Sequence, residues 1–380
     1  MVQVNQTPAS APSIPSHSFD SEALRVFVVE VFLKLGCHAT NAETAAEVLL
    51  ASDLRGIESH GVARLAVYEK WLVNGLAPPN PEVEIVRETG STATVDGGGG
   101  LGIMVAPVAN RITLDKADKN GSSWVAVRNS NHFGIAGFYV SQAVQRDMVG
   151  WAMSNATAQV TPARSKDSLF GTNPFAVGIP AGKYPPFIAD MATSVVAYGK
   201  IEIARRRQTK MPFGWALDQQ GNPTDDPNEV GKSGRPYSML PLGSDEEHGI
   251  HKGYCLAAMV DILSGVLGNA AWGPFCPHFM MPENSAQPPF GKGLGHLLGA
   301  MRIDAFDEVA DFKQRMDLWV ETVKQATPID PELPVMIPGE PEFFAERQRR
   351  QHGIPLLQPV VELLQGVATR QQVEFPAPLS

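Results

Sequence analysis

The stretch "RNSNHFGIAGFYV", residues 128–140, continues the apolar run "SSWVAVRNS" (122–130) and leads into a second apolar run. The first run reads as a buried strand and the second as a helix, which puts Asn131, His132 and Gly134 in the turn between them. The N–H groups that open a helix lack partners within it and favour negative charge. Here those groups lie around Gly134 and Ile135, and a pyrophosphate would suit the turn, with Asn131 and His132 as added donors. His132 taken alone also reads as a packed core histidine.

The nearest rival signal lies upstream. Gly97, Gly99 and Gly102 spell G-x-G-x-x-G after a strand-like run, and Asp115 or Asp118 stands near the position of a ribose-binding acid. Four successive glycines give flexibility more than a fixed cradle, and the helix that follows is amphipathic and charged. A hairpin turn needing positive φ is the expectation there, not a Rossmann phosphate loop.

Around these stretches the chain has a helical start, a mixed middle and a helical end. Helices are expected at 21–36, at 40–56 with Thr40 and Glu43 as a capping box, and at 61–75. A hairpin follows over 82–102, then a helix over 103–121. Strands are expected at 148–155 and 174–180, and a strand or helix from about 195. A helix over 252–268 should bury Leu256, Met259, Val260, Leu263, Val266 and Leu267. Residues 272–295 read as a long irregular segment, 297–306 as a strand, and 307–326, 340–353 and 358–368 as helices. The fold class is therefore mixed α/β, with a non-Rossmann sheet domain inserted into a helical domain built from both termini. The expected division is a disordered leader over 1–18, a helical, substrate-side domain over 19–120 and 305–380, and a cofactor domain over 121–304.

Composition narrows the function. At 380 residues the chain can bury roughly 75% of its unfolded surface. A net charge of −9 argues against nucleic acid as a partner, and no apolar run reaches the ~20 residues of a membrane helix. Cys37, Cys255 and Cys276 have no regular spacing and read as reduced thiols, and no signal peptide is evident, which points to the cytoplasm. His248 and His251 alone do not make a zinc site, so no metal is expected.

Two further stretches carry chemistry. In "SDLRGIESHGVAR" (52–64), Ser59 and His60 follow the glycine that ends a helix, and Arg64 comes one helical turn later. A histidine can exchange a proton with an oxygen and an arginine can grip a carboxylate with two parallel bonds. Helix capping and a surface charge are the alternatives. In "ADMATSVVAYGKIEIARRR" (189–207), Asp190 follows an apolar run beside Thr193 and Ser194, and Lys200 lies ten residues on. Asp190 reads as a functional buried acid or as a helix cap.

Six stretches in order match one family: "SDLRGIESHGVAR", "NSNHFGIAGFY", "GTNPFAVGIP", "DMATSVVAYGKIEIA", "HKGYCLAAMVDILSGVL" and "PGEPEFFAERQRRQHGIPL". Over about residues 20–368 the chain resembles the malate/L-lactate dehydrogenase family, which includes sulfolactate and ureidoglycolate dehydrogenases and piperideine-2-carboxylate reductase. The resemblance implies a homodimeric oxidoreductase that uses NAD or NADP on a small 2-hydroxy or 2-oxo acid. It implies His132 or the Ser59–His60 pair as the proton-exchanging group and Arg64 as the substrate-carboxylate ligand, with Asp190 against substrate or cofactor. Cofactor contacts are implied for His132, Phe133, Gly134, Ile135, Thr172, Asp190, Met191, Ala192, Tyr198, Gly199, Pro241, Leu242, Gly295 and His296. Lys200, counted with the catalytic set, stands where imine-reducing relatives carry an acid, which leans against a cyclic imine as substrate. Arg205–Arg207 could meet the 2′-phosphate of NADP or form a solvated face. A cyclic-imine reductase is the alternative within enzymes, and a non-catalytic NAD(P)-binding protein is the alternative outside them.

Overall fold

The termini close on each other. In the computed structural model, which describes residues 15–231, 237–280 and 289–379, strand β1 (Ser16–Phe19) pairs antiparallel with β11 (Ile354–Leu357). The expected leader is thus shorter at its C-terminal end, because residues 16–18 are a strand; residues 1–14 lie outside the described residues. Helix α1 (Ser21–Lys34) starts where the Asp20 carboxylate accepts the Ala23 N–H. Helix α2 (Ala39–Leu54) starts one residue earlier than expected. His38 precedes it with no side-chain cap bond, and Thr40 lies inside the helix, so the expected capping box is absent. Helices α3 (Leu65–Val73) and α10 (Gln358–Gln371) join through Arg370, paired with the buried Glu69 at 2.6 Å.

The central sheet has seven strands in the order β2-β3-β4-β10-β5-β6-β7. These are β2 (Glu84–Glu88), β3 (Thr92–Asp96), β4 (Ser122–Ser130), β5 (Met148–Ser154), β6 (Phe175–Ile179), β7 (Phe187–Met191) and β10 (Leu294–Arg302). Only β3 and β4 run parallel, so the sheet is mixed and largely antiparallel, as expected. Because β2 and β3 belong to it, the expected boundary at residues 120/121 falls within one sheet. Helices α4 (Gly102–Asn120) and α5 (Ala136–Val144) pack on the sheet.

The glycine run does something other than either sequence reading. It is neither a hairpin turn nor a phosphate loop, but the link from β3 into α4, the crossover to parallel β4. Gly98 and Gly99 take φ of +60° and +74°. A side chain on Gly102 would lie 2.1 Å from the Asn131 carbonyl oxygen and 2.6 Å from that of His132. The Asn131 amide donates to the carbonyls of Gly99 and Gly100, so the helix start is packed by protein. Asp115 and Asp118 pair with Arg146 at the surface, at 3.0 and 3.1 Å. The glycines therefore admit the His132 turn to the core.

A smaller unit holds α6 (Tyr198–Arg206) and the short pair β8 (Ala216–Leu217) and β9 (Pro223–Thr224). Helix α7 (Ile250–Asp261) runs on into a π turn over Ile262–Val266. Its inward face is only in part the expected one, with Val260 buried and Leu263 packed beside it. Gly253, Ala257, Val260, Asp261 and Ser264 are buried, while Met259, Val266 and Leu267 are exposed. Small residues bring the helix close: a side chain at Gly253 would meet the Leu242 backbone at 2.2 Å. Helices α8 (Val309–Lys324) and α9 (Glu340–His352) lead back to β11 and α10.

Candidate active site

All three chemistry-bearing stretches meet, the first and second at the two histidines and the third through Asp190 and Gly137. At the end of α2, Asp53 is buried and its carboxylate accepts the Val62 N–H at 2.7 Å. Gly61 has to be glycine there, because a Cβ would lie 2.0 Å from that carboxylate. Arg349 of α9 donates to the Asp53 carbonyl and pairs with Glu58, both at 2.6 Å. The short turns Glu58–His60 and Val62–Arg64 are thereby pinned at both ends. Within them the Ser59 hydroxyl lies 2.8 Å from His60 Nδ1, and Arg64 Nε donates to the Ser59 carbonyl at 2.6 Å.

His132 arrives from the other side. Its turn needs Gly134, which has φ +82° and lies so close to α2 that a Cβ would sit 2.6 Å from Val48. The His132 ring stacks on His60, with centroids 5.3 Å apart, and on Phe279 at 4.5 Å. Its Nδ1 lies 2.6 Å from the Tyr68 hydroxyl. Phe279 is held by its backbone: its carbonyl accepts from Trp71 Nε1 and its N–H donates to the Thr157 hydroxyl, at 2.9 and 3.1 Å. Arg64 lies 6.0 Å from the Phe279 ring centroid.

Burial, then the Arg64 charge, pulls the His60 pKa down to about 4. His132 is lowered by burial and then by His60, Arg64 and His296. Both imidazoles are neutral near pH 7. Arg64 Nη1 otherwise meets only the weakly accepting Met280 sulfur at 3.8 Å, so no oxygen holds its terminal nitrogens among the described residues and a carboxylate could take them.

Asp190 is the penultimate residue of β7, and its carboxylate accepts the Gly137 N–H at 2.7 Å. The chain's own Asp190 thus places an acid at the start of α5 and caps that helix from a neighbouring strand. Burial raises its pKa to about 6, against the opposing pull of the Gly137 bond and of Arg55. It lines a cleft of about 420 Å³ with Arg55, Ile57, Ile135, Met191 and Glu342. Arg55 donates to the Ser141 hydroxyl at 2.6 Å, but its Nε is buried without a partner.

The remaining expected contacts divide. Thr172 and Leu242 meet through Thr193, whose N–H and hydroxyl donate to the Thr172 carbonyl and whose own carbonyl accepts the Leu242 N–H. Pro241 bridges to Ser194. Gly295 and His296 do not face a ligand cleft. His296 is fully buried, both ring nitrogens lie 2.9 Å from serine hydroxyls, of Ser154 and Ser130, and the ring stacks under Phe133. A Cβ at Gly295 would lie 1.9 Å from the Ser264 carbonyl oxygen. Their conspicuous spacing serves the packing of β10. Tyr198 bonds to the Gly231 carbonyl, Gly199 is exposed, and Lys200 makes no side-chain hydrogen bond or ion pair among the described residues. Arg205 is spent on the carbonyls of Pro227 and Val230, which leaves Arg206 and Arg207 as the exposed part of the basic run. Among the described residues no His, Cys, Asp and Glu group could hold a metal.

Sequence reasoning missed Asp53, Arg55, Tyr68 and Phe279. Tyr68 had a signal, since Arg64, Tyr68 and Trp71 recur at helical spacing on one face of α3. Phe279 had none, lying in an irregular segment.

A family model described as malate/L-lactate dehydrogenase matches residues 19–365. The chain belongs to the malate/L-lactate dehydrogenase family. A malate dehydrogenase from Pyrococcus horikoshii is 37% identical over 92% of this chain and 94% of its own length. A malate/(S)-sulfolactate dehydrogenase from Methanothermus fervidus is 35% identical over 93% and 98%. The crystal structure of malate dehydrogenase from Entamoeba histolytica superposes with a TM-score of 0.88 at 31% identity, covering 96% of this chain and all of that one. The chain is thus an oxidoreductase acting on CH–OH groups, in a family whose dehydrogenases use nicotinamide cofactors.

Proposed function

We propose that the chain interconverts a small 2-hydroxy acid, of malate, lactate, sulfolactate or ureidoglycolate type, and its 2-oxo acid with NAD or NADP. The observation that carries this reading is the convergence of His60 and His132, which come from two separate elements and stack with centroids 5.3 Å apart, with Arg64 beside them at 6.0 Å from the Phe279 ring that His132 also stacks on. A proton-exchanging group and a carboxylate grip are what a 2-hydroxy acid requires. The cleft beside Asp190 fits a nicotinamide: Ile57, Ile135 and Met191 offer apolar walls, and the orphaned Arg55 Nε with Asp190 offers polar partners for a carboxamide. When bound, that ring supplies the hydride acceptor or donor. Arg64 would grip the substrate carboxylate, the two histidines would meet the C2 oxygen, and Phe279 would shield them from water.

Met259, Ile262, Val266 and Leu267 leave apolar surface on one side of α7, which suits a second copy of the chain and supports a homodimer. Free cysteines suit the cytoplasm, and no described helix is long and apolar enough to cross a membrane. The test is nicotinamide absorbance with malate, lactate, sulfolactate, ureidoglycolate and cyclic imines, using both cofactors. Turnover of at least one 2-hydroxy acid is expected. Turnover of cyclic imines alone, or cofactor binding without any turnover, would refute the proposal.

A further inference from the structure

His60 and His132 sit side by side, yet their second ring partners differ, and counting protons gives the two rings different work. Resting on the dehydrogenase reading, we propose that Tyr68 is a positioning residue that fixes His132 as the neutral Nε2–H tautomer. His132 then donates a hydrogen bond to the C2 oxygen, and His60 exchanges the proton.

Tyr68 is fully buried, and its hydroxyl has one partner among the described residues, His132 Nδ1 at 2.6 Å. Burial pushes the phenol's pKa above its ordinary value, so it keeps its hydrogen. Were Nδ1 protonated as well, that buried phenolic hydrogen would have no acceptor, which is costly. The phenol therefore donates to Nδ1, and the single N–H of the neutral imidazole is on Nε2. Nε2 makes no hydrogen bond to any described residue. With the ring stacked against His60 and Phe279, its Nε2 edge is left to meet a ligand. In this state His132 can donate a hydrogen bond but has no free lone pair with which to take a proton.

His60 has the opposite freedom. Its Nδ1 faces the Ser59 hydroxyl, and Ser59 is exposed, so water can serve as that hydroxyl's other partner. The hydroxyl can donate to the ring or accept from it, and His60 can carry its proton on either nitrogen.

In the oxidising direction the C2–H bond would break, and its electron pair would leave with the hydrogen as hydride, which a bound oxidised nicotinamide would accept. The hydroxyl proton passes to His60, and the oxygen's electrons form the C2 carbonyl. His132 holds that oxygen throughout and neither gains nor loses a proton.

The experiment is a proton–nitrogen correlation spectrum of the full-length, cofactor-free protein labelled with 15N-histidine, with His132 assigned through His132→Gln. The expected result near neutral pH is a protonated Nε2 and a bare Nδ1 on His132. A proton on Nδ1 would overturn the proposal, whatever the activity. Tyr68→Phe should give mixed tautomers and a kcat about tenfold lower, with cofactor Kd unchanged. His132→Gln keeps an N–H in the ε position and should retain about tenfold more activity than His132→Ala. Equal loss in both would overturn the donor role. The spectrum needs no turnover, so the expected tautomer in a protein inactive on every acid would support the tautomer and count against the dehydrogenase reading alone.

Discussion

The two histidine turns are built by different means. The His60 turn lies at the surface and is tied by side chains: the Asp53 carboxylate, the Arg349–Glu58 pair and Arg64. The His132 turn enters the core and is fixed by missing side chains, at Gly102 and Gly134, where a Cβ would strike backbone or Val48. One turn keeps a solvent-linked hydroxyl beside its ring, and the other has a buried phenol. In the proposed assignment, the solvent-linked hydroxyl leaves His60 able to change its protonation, whereas the buried phenol holds His132 in one state.

Removing either ring should have the largest effect. His60→Ala should lower kcat by about 10²–10⁴, the range for a general acid–base group. His132→Ala should lower it by about 10²–10³, the range for a lost donor to a developing oxyanion. Stopped-flow and steady-state rates check both, and equal values with no pH change in either would erase the contrast. Arg64→Lys comes next: losing the planar fork should raise KM for the hydroxy acid about tenfold and leave cofactor Kd unchanged.

The third contrast is in stability. Gly134→Ala forces a side chain into φ +82° and into Val48, and should cost about 1–3 kcal/mol by denaturant unfolding. The smallest effect is a pH dependence at the other turn. Burial raises Asp53 from 3.8 to about 7, so the fold favours its neutral form. That contribution is complete in acid and is lost as pH rises to about 7. Asp53→Asn stays neutral and can still accept the Val62 N–H through its amide oxygen. Its Tm should match wild type near pH 4 and exceed it above pH 7, and a gap that is flat with pH would contradict the raised value.

Much of this was legible in the sequence, for reasons that differ by residue. His60 and Arg64 announced themselves by polar chemistry at a helix end, and His132 by its place between a strand and a helix. The mixed sheet and the closure of both termini followed from the order of the elements. Three kinds of information were not legible. The partner of a buried group depends on tertiary contact, so Asp53 looked like any helix residue, and Asp190 read as a functional acid or as a helix cap with no sign that the helix would be α5. Spacing does not separate a glycine that admits a ligand from one that admits the chain's own backbone, which misled at Gly295; at Gly102 the phosphate loop was set aside, but the close approach of the His132 turn was not visible. Hydrophobicity alone placed Val266 and Leu267 inside, where small residues let α7 turn them outward.

The central claim is that His60 and His132 act together on one hydroxy acid. It is tested most directly by single-turnover oxidation of the best 2-hydroxy acid in wild type, His60→Ala and His132→Ala, with cofactor binding measured in each. Cofactor binding should be retained and the rate should fall at least about a hundredfold in both variants. Wild-type rates in both would contradict it.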